Sequence, residues 1–293
     1  MTKAPIQPDP LAAALDAKRR YGARGSIAEG PLAFGPGWRV QDIVCTCGPH
    51  DEDAEELTTA NSVALVLSGT FIVRDRHGTS LLSEGSYFLA SAGHCFACSH
   101  RHGEGDRCLS FQFEPAFFED IVRDAGAAQV AFGRNGLPPL RDFSDIAVRA
   151  MAAMDANLEL EEIAYELAGA AVRLAKQEAV GTRSTDARHH RRVSNVLRHL
   201  EREISAPHSI AELASLACLS PYHFLRTFKE VTGTTPHRWL TRARLRDAAR
   251  RLATGCERVT QVALDAGFGD LSNFVRSFRA EFGVSPRAYR AAA

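Results

Sequence analysis

The stretch IAELASLACLSPYHFLRTFKEVTGTTPHRWL, residues 210–240, decides the fold of the C-terminal part of this chain, because its pattern recurs further on. The second copy is VTQVALDAGFGDLSNFVRSFRAEFGVSPRAYR, residues 259–290. A shift of 49 positions aligns the first parts of the copies, and a shift of 50 aligns the parts that begin at Phe224 and Phe274. A repeat of this length indicates two copies of one supersecondary unit.

Each copy has the pattern of two short helices joined by a turn. Ser220 is suited to cap the second helix of the first copy, and Pro221 suits the first helical position. Gly233 is predicted to end that helix. In the second copy Asp270 and Gly283 take the places of cap and stop. The sequence therefore predicts two helix-turn-helix units.

The charge of the chain is divided between its two parts. Residues 1–185 hold 17 basic and 25 acidic residues, whereas residues 186–293 hold 18 and 10, so the zero formal net charge hides a basic half. Of the 18 basic residues 17 are arginine, which suits forked contacts to phosphate oxygens and guanine edges. A solvated basic face explains the charge alone, but it does not explain Arg226 and Arg276 at the same place in both copies.

The region from His190 to Arg290 resembles the DNA-binding domain of the AraC/XylS family of transcription regulators. The resemblance rests on the two copies and on the helix RARLRDAARRL that begins at Arg242. It implies two helix-turn-helix units joined by a long helix over residues 236–253, with the second helix of each unit in a major groove. The implied partner is double-stranded promoter DNA, RNA polymerase is a candidate partner, and activation and repression both remain open.

The resemblance also assigns DNA contacts residue by residue. The candidate base-reading residues lie on the outer faces of the two recognition helices and are Tyr222, Leu225, Arg226, Ser272, Asn273 and Arg276. The candidate phosphate contacts, which set position and not sequence, are Arg238, Arg242, Arg287 and Arg290. Leu225 and Val275 depart from a purely polar reading face, which implies contacts to thymine methyl groups or less direct readout.

The N-terminal part has a different pattern. Residues 38–113 contain short apolar runs separated by turn signals such as Ser68-Gly69, and this spacing predicts an antiparallel barrel or sandwich. The segment GSYFLASAG, residues 85–93, resembles the second motif of cupin domains, which implies a cupin-like sensor domain. The predicted fold class is therefore α+β with two domains, a β-barrel or cupin-like domain with helices and an all-α double helix-turn-helix.

These patterns set the expected domain limits. We expect a flexible segment at residues 1–30 with a short helix over residues 11–20, a sensor and dimerisation domain at 31–178, a linker at 179–187 and the DNA-binding domain at 188–293. Helical spacing over residues 147–177 suggests a homodimer contact. The chain has no apolar run of the ~18 residues that a membrane span needs, and Lys3, Pro5 and Pro8 do not fit a secretory signal. We therefore expect a cytoplasmic protein with no membrane partner.

Cysteine and histidine cluster in two short segments of the N-terminal part, at Cys45, Cys47, Cys98, His100, His102 and Cys108. Alternate residues of a strand share a face, so neighbouring strands can bring soft ligands together for zinc. Structural packing, a zinc site and a low-pKa thiol pair that senses oxidants or electrophiles are all open interpretations. Outside the cluster, Cys218 and Cys256 are expected to be small buried hydrophobic residues.

An enzyme is the main alternative, in the form of a cupin-type metalloenzyme fused to a DNA-binding module. Phe96 stands where the second cupin motif has a histidine, and no His-x-His precedes Gly69, which disfavours the metal site of enzymatic cupins. A third alternative is a barrel that needs zinc only to fold. We predict that the protein is not an enzyme, has no catalytic residues, and senses an unknown effector: a small molecule, a metal or a thiol-reactive signal.

Overall fold

The computed structural model describes residues 9–124, 131–155, 157–175 and 187–292. The first part begins with helix α1 (Pro10–Tyr21). The strands that follow are β1 (Ile27–Gly35), β2 (Trp38–Cys45), β3 (Ala54–Leu57), β4 (Asn61–Gly69), β5 (Phe71–Asp75), β6 (Gly78–Leu82), β7 (Tyr87–Ala90), β8 (Cys95–Ser99), β9 (Asp106–Phe113) and β10 (Gly136–Leu137).

The other main elements of the described residues are helices. Those that pack on the strands are α2 (Pro115–Asp124), α3 (Ser144–Ala152) and α4 (Asn157–Ala175). The C-terminal helices are α5 (Ala187–Arg202), α6 (Ile210–Leu216), α7 (Pro221–Thr232), α8 (Pro236–Thr254), α9 (Val259–Asp265), α10 (Leu271–Phe282) and α11 (Pro286–Ala292). Helix α8 confirms the predicted long connecting helix.

The strands form two antiparallel sheets. One sheet has the order β1-β2-β9-β4-β7-β10 and the other has the order β3-β8-β5-β6. The chain changes sheet between β4 and β5, where Gly69 has a positive φ of 81° that suits glycine. Within the described residues the sheets do not close into a barrel, so of the two predicted alternatives the sandwich is correct, and the cupin-like barrel is not confirmed.

The large sheet is covered on both faces. Phe111 and Phe113 on β9 share a buried core with Ile163 and Leu167 of α4. Cys108 points to the opposite face of β9, because side chains alternate along a strand, and it belongs to the core between the two sheets. The apolar face of α4, predicted to support a homodimer, is therefore used inside the chain.

The C-terminal part contains two helical cores that share α8. Trp239 of α8 packs in the first core with helices α5 to α7, and Leu252 of the same helix packs in the second core with α9 and α10. Each core also receives a side chain from the N-terminal part, Leu81 of β6 in the first and Val148 of α3 in the second. One helix thus holds both units, and the N-terminal part touches each of them.

Some sequence expectations need adjustment. The helix predicted over residues 11–20 is present as α1, but β1 already begins at Ile27, inside the segment predicted to be flexible. Residues 179–186 of the predicted linker lie outside the described residues. The prediction for Cys218 and Cys256 is wrong, because both side chains are exposed near helix ends. Among the described helices, none is both long and apolar enough to cross a lipid bilayer.

Candidate nucleic-acid interface and effector cavity

Helix α7 turns one face to the core and the other to solvent. Ser220 accepts a hydrogen bond from the backbone N–H of His223 at 3.4 Å, and Pro221 occupies the first helical turn, which confirms the predicted cap. Phe224 on the inner face is fully buried. The candidate base-reading residues lie on the outer face: Tyr222 is 72% exposed, Leu225 is 39% exposed and the Arg226 side chain is 62% exposed.

Helix α10 repeats this arrangement. The Asp270 carboxylate accepts hydrogen bonds from the backbone N–H groups of Ser272 at 3.1 Å and Asn273 at 2.8 Å. Phe274 is fully buried on the inner face. The outer face carries Ser272, Asn273 and Arg276, all exposed, with the apolar Val275 beside them.

The two arginines at equivalent positions each have a partner on their own helix. Arg226 Nε donates to Glu230 Oε1 at 2.9 Å, and this hydrogen bond raises the pKa of the guanidinium. Arg276 Nη2 donates to Asn273 Oδ1 at 3.1 Å. Exposed bonds of this kind contribute little to stability, so a guanine edge can replace them at small cost.

The four candidate phosphate contacts fall into two pairs. Arg238 and Arg287 are exposed. Arg242 is only 14% exposed; its Nε lies 3.2 Å from Glu281 Oε1, and its Nη1 donates to the carbonyl of Pro139. Arg290 is partly buried and donates to the carbonyl of Glu257. Arg238 and Arg287 are thus free to reach a phosphate, whereas Arg242 and Arg290 are held inside the fold.

Helix α8 also contacts the turn between β6 and β7. Trp239 Nε1 donates to Ser83 Oγ at 3.2 Å, and Arg246 Nη2 donates to the carbonyl of Glu84 at 3.3 Å. The backbone N–H of Glu84 donates to Glu201 Oε1 of α5 at 3.4 Å. Burial is the main cause that raises the pKa of the Glu84 and Glu201 carboxyls, and Glu84 raises that of Glu201 further. This contact joins the sandwich to the C-terminal helical part.

A cavity of about 260 Å³ lies between the two sheets. Four residues of the predicted cysteine and histidine cluster line it, namely Cys45, Cys98, His100 and Cys108, and Asp106 lines it with them. Phe71, Phe88 and Phe96 supply its aromatic wall. Polar and charged side chains such as Glu56 and Ser110 line it as well, so the cavity combines apolar walls with convergent polar groups, as ligand sites do.

Cys45, His100 and Asp106 form the tightest group in this cavity. One ligand atom from each lies within 4.8 Å of the others, and all three side chains are buried. His100 Nε2 lies 2.5 Å from Asp106 Oδ1, and Cys108 Sγ donates to Asp106 Oδ2 at 3.1 Å. Cys45 pairs with Asp106 across β2 and β9, whereas His100 follows β8 in the other sheet. The group therefore bridges the two sheets.

The thiols in the cavity are not activated. Burial is the main cause that raises the pKa of Cys45, Cys98 and Cys108, and the Asp106 carboxylate raises all three further. These thiols are therefore protonated at neutral pH. The raised pKa values of these three residues disfavour a low-pKa thiol pair in the cavity, because such chemistry needs the thiolate.

The other two members of the predicted cluster lie elsewhere. Cys47 lines a surface cleft beside α1, next to the ion pair of Lys18 and Asp51 at 3.0 Å. His102 is not among the residues that line the cavity; burial and the nearby Arg191 and Arg198 of α5 lower its pKa. The six predicted residues thus divide into a cavity group and two outlying side chains.

Comparison with known proteins identifies the C-terminal region. A sequence model of the helix-turn-helix domain matches residues 213–292. The transcriptional regulator Rv1931c of Mycobacterium tuberculosis is 40% identical over 85 residues, 29% of this chain and 33% of that protein. The transcriptional activator RhaS of Escherichia fergusonii is 36% identical over 110 residues, 38% of this chain and 38% of that protein. This chain therefore spans well under half the length of these relatives.

Among the solved structures that this chain is similar to is the DNA-binding domain of AdpA, crystallised in complex with a target DNA. It is 33% identical, covers 34% of this chain and 90% of the AdpA chain, and has a TM-score of 0.33. The predicted resemblance is confirmed by the family match and the relatives: residues 213–292 are a helix-turn-helix domain of the AraC type, and the relatives are AraC/XylS-family transcription regulators.

Sequence reasoning missed two functional candidates. Asp106 was not included in the cluster, because its place opposite Cys45 follows from the pairing of β2 with β9. Its position two residues before Cys108 on a strand was the available signal. Glu84 appeared only as part of a turn, and nothing local marked its approach to Arg246.

Proposed function

We propose that this protein is a sequence-specific transcription regulator of the AraC/XylS type that binds promoter DNA. One observation carries the proposal: Arg226 and Arg276 occupy equivalent exposed positions on two capped helices whose inner faces are buried. Helices α7 and α10 lie in successive major-groove segments on one face of the DNA. This proposal places the protein in the cytoplasm, where promoter DNA is found.

The proposed DNA contacts divide into reading and holding. Arg226 and Arg276 contact guanine, Asn273 contacts adenine, and Tyr222, Leu225 and Ser272 complete the reading surface. Arg238 and Arg287 hold phosphates and so fix the register without reading the sequence. The buried contacts of Arg242 and Arg290 give these two residues a structural role in the proposal.

The N-terminal sandwich is the proposed sensor. Its cavity supplies a place for an effector, and its contacts with α8 through Ser83 and Glu84 supply a route to the DNA-binding part. Leu81 and Val148 extend this contact into both helical cores. The relatives named above are transcription regulators, and no observation favours the alternative of a cupin-type metalloenzyme.

Selection of DNA from a random-sequence pool with the full chain tests the proposal. We expect one enriched motif, and we expect Arg226→Ala and Arg276→Ala each to weaken its binding by about 1 to 3 kcal/mol and to relax preference at one or two base pairs. Arg74→Ala, which removes an exposed arginine of β5, is the control and should leave binding unchanged. Equal losses on selected and random DNA would reject the two arginines as base readers, and the absence of any enriched motif would reject sequence-specific binding.

A further inference from the structure

We propose that Cys45, His100 and Asp106 bind a divalent metal ion of the zinc type in the cavity between the sheets, and that this ion is the effector. The part about the effector rests on the proposed function, whereas the metal site stands on its own geometry.

The first support is convergence. The three side chains are 5%, 6% and 5% exposed, and their ligand atoms lie within 4.8 Å of one another. They reach the same point from two sheets, because Cys45 and Asp106 are cross-strand partners and His100 directly follows β8 of the other sheet. In the described structure the hydrogen bond between His100 and Asp106 links the two sheets at this point. A bound ion would replace it with bonds to both sheets.

The donor set selects the metal. A cysteine thiolate, an imidazole and a carboxylate together match zinc, which accepts sulfur, nitrogen and oxygen ligands in one tetrahedron. Cys45 is protonated without the ion, so it releases its thiol proton to solvent as the Zn–S bond forms. Magnesium and calcium prefer oxygen ligands alone. The chemistry therefore points to zinc and to similar borderline ions such as cobalt.

The geometry requires small adjustments, because the three ligand atoms now lie within 4.8 Å of one another and an ion must draw them to its own bond lengths. In a tetrahedral zinc site with bonds of about 2.0 to 2.3 Å, neighbouring ligand atoms are about 3.3 to 3.6 Å apart. His100 Nε2 and Asp106 Oδ1, at 2.5 Å, must therefore separate by about 1 Å when the ion enters. Side-chain rotation supplies a movement of this size, and the ion replaces the hydrogen bond that is lost.

Cys108 positions the carboxylate and is not one of the three ligands. Its Sγ donates to Asp106 Oδ2 at 3.1 Å, which leaves Oδ1 directed at His100. With three protein ligands the fourth position faces the cavity, as in zinc sites that exchange a ligand. Groups that orient a metal ligand typically affect metal affinity by about 10- to 100-fold.

The site is next to the DNA-binding part. His100 opens the connecting loop, residues 100–105, and His102 in that loop lies within electrostatic range of Arg191 and Arg198 on α5. Glu104 of the same loop lies within range of Arg198. We therefore expect a movement of His100 on metal binding to move this loop, in which the Glu104 carboxylate pairs with Arg19 of α1 at 3.2 Å and also lies within electrostatic range of Arg198 on α5.

Metal binding is tested with the full chain after dialysis against a chelator. Titration with Zn²⁺ alone, in competition with a chromogenic chelator, should show one tight equivalent, and Co²⁺ should give the charge-transfer absorption of a cobalt–thiolate bond. Cys45→Ser and His100→Ala should each lower Zn²⁺ affinity more than 100-fold and abolish that absorption, whereas Cys108→Ala, which removes the hydrogen-bond donor to Asp106, should lower affinity by about tenfold. The control Cys95→Ser changes an exposed cysteine of β8, the strand that precedes His100, and should bind Zn²⁺ as tightly as the wild type does.

Circular dichroism of each variant shows whether it is folded, and only folded variants are compared. The site is rejected if the wild type takes up no tight Zn²⁺, or if folded Cys45→Ser and His100→Ala bind as tightly as the wild type. An equal loss for Cys95→Ser would also overturn it.

The regulatory part is tested by measuring affinity for the selected DNA with and without one equivalent of Zn²⁺. We expect a change of fivefold or more, in the usual range of allosteric coupling, which Cys45→Ser abolishes. Tight Zn²⁺ binding with unchanged DNA affinity would reject the effector role and leave a structural metal site. Failure to select any DNA would reject the proposed function without affecting the Zn²⁺ titration, so the two failures are distinguishable.

Discussion

Cys218 and Gly267 occupy the same turn position in the two helix-turn-helix units, and both have a positive φ, 52° and 86° respectively. Glycine adopts this conformation without strain, whereas a residue with a side chain is strained by about 1 to 2 kcal/mol. The second unit thus has the residue that the turn requires, and the first has an exposed cysteine in its place.

This pair predicts opposite effects of substitution. Gly267→Ala should lower the free energy of unfolding by about 2 kcal/mol or more, because its Cβ would lie 2.6 Å from the Ser205 carbonyl oxygen as well as at a positive φ. Cys218→Gly should be neutral or stabilising by up to about 1 kcal/mol. It relieves the strain of the positive φ but also raises the conformational entropy of the unfolded chain, which offsets part of the gain. Urea unfolding measures the stability of both variants. A Gly267→Ala protein as stable as the wild type would show that the turn does not require glycine at this position.

Two similar glutamate–arginine pairs should differ sharply in their contribution to stability. Glu281→Ala should destabilise the protein by about 3 kcal/mol, because it leaves the 14% exposed Arg242 without its carboxylate. Glu230→Ala, which removes the partner of the 62% exposed Arg226, is the matched control and should change stability by less than about 0.5 kcal/mol. Thermal unfolding of the two variants gives the comparison, and equal effects would show that the Arg242 contact is not tight in solution.

The partly buried carboxyls of Glu84 and Glu201 predict a pH dependence. Because burial raises their pKa above the ordinary 4.5, the folded state binds these protons more tightly than the unfolded state, and stability falls as the pH rises from 4.5 through the raised values. Glu201→Gln keeps an acceptor for the Glu84 N–H but has no charge, so we expect a gain of about 1 kcal/mol at pH 7 and little at pH 4.

The control for this prediction is Glu203→Gln, an exposed position close to Glu201 in the chain. Unfolding free energies at several pH values between 4 and 8 measure the effect. A Glu201→Gln gain that is the same at every pH would show that the carboxyl does not titrate in this range.

Salt dependence separates the two pairs of candidate phosphate contacts. Arg287→Ala should weaken binding to all DNA sequences and reduce the slope of log affinity against log salt by about 0.9, since one phosphate contact is lost. Arg242→Ala should leave the slope unchanged in molecules that stay folded, because this arginine is held by Glu281 and the Pro139 carbonyl. Affinity titrations on one DNA duplex at four salt concentrations measure the slopes. A reduced slope for Arg242→Ala would show that Arg242 contacts a phosphate after all.

The helical part of the fold was predictable because its signals are local. Caps such as Ser220 and Asp270, the helix stop at Gly283 and the inward Phe224 act within one or two turns. The strands were harder, because β1 contains Gly30 and Pro31 and is largely exposed, which hides its pattern. The two-sheet arrangement depends on pairings between distant strands, and these have no local signature.

The candidate sites follow the same division. Arg226 and Arg276 were found from a repeat within the sequence, whereas the grouping of Cys45 with Asp106 depends on strand register. Local spacing placed Cys47 and His102 in the cluster with Cys45 and His100, but the strand ends and the connecting loop direct them elsewhere. The engagement of Arg242 depends on Pro139 and Glu281, both distant in the chain.

The sharing of helix α8 by both cores has a consequence for promoters. Because Trp239 and Leu252 pack the two units against the same helix, the proposed function requires the two DNA half-sites to stand at one constant spacing in every target. An insertion or deletion of a single base pair between the half-sites rotates one half-site away from its recognition helix, whereas a base substitution there is tolerated. Under the proposed function, genomic targets can therefore be sought as two short half-sites with invariant spacing. Base substitutions between the half-sites can accumulate in a promoter, whereas changes in the length of that segment cannot.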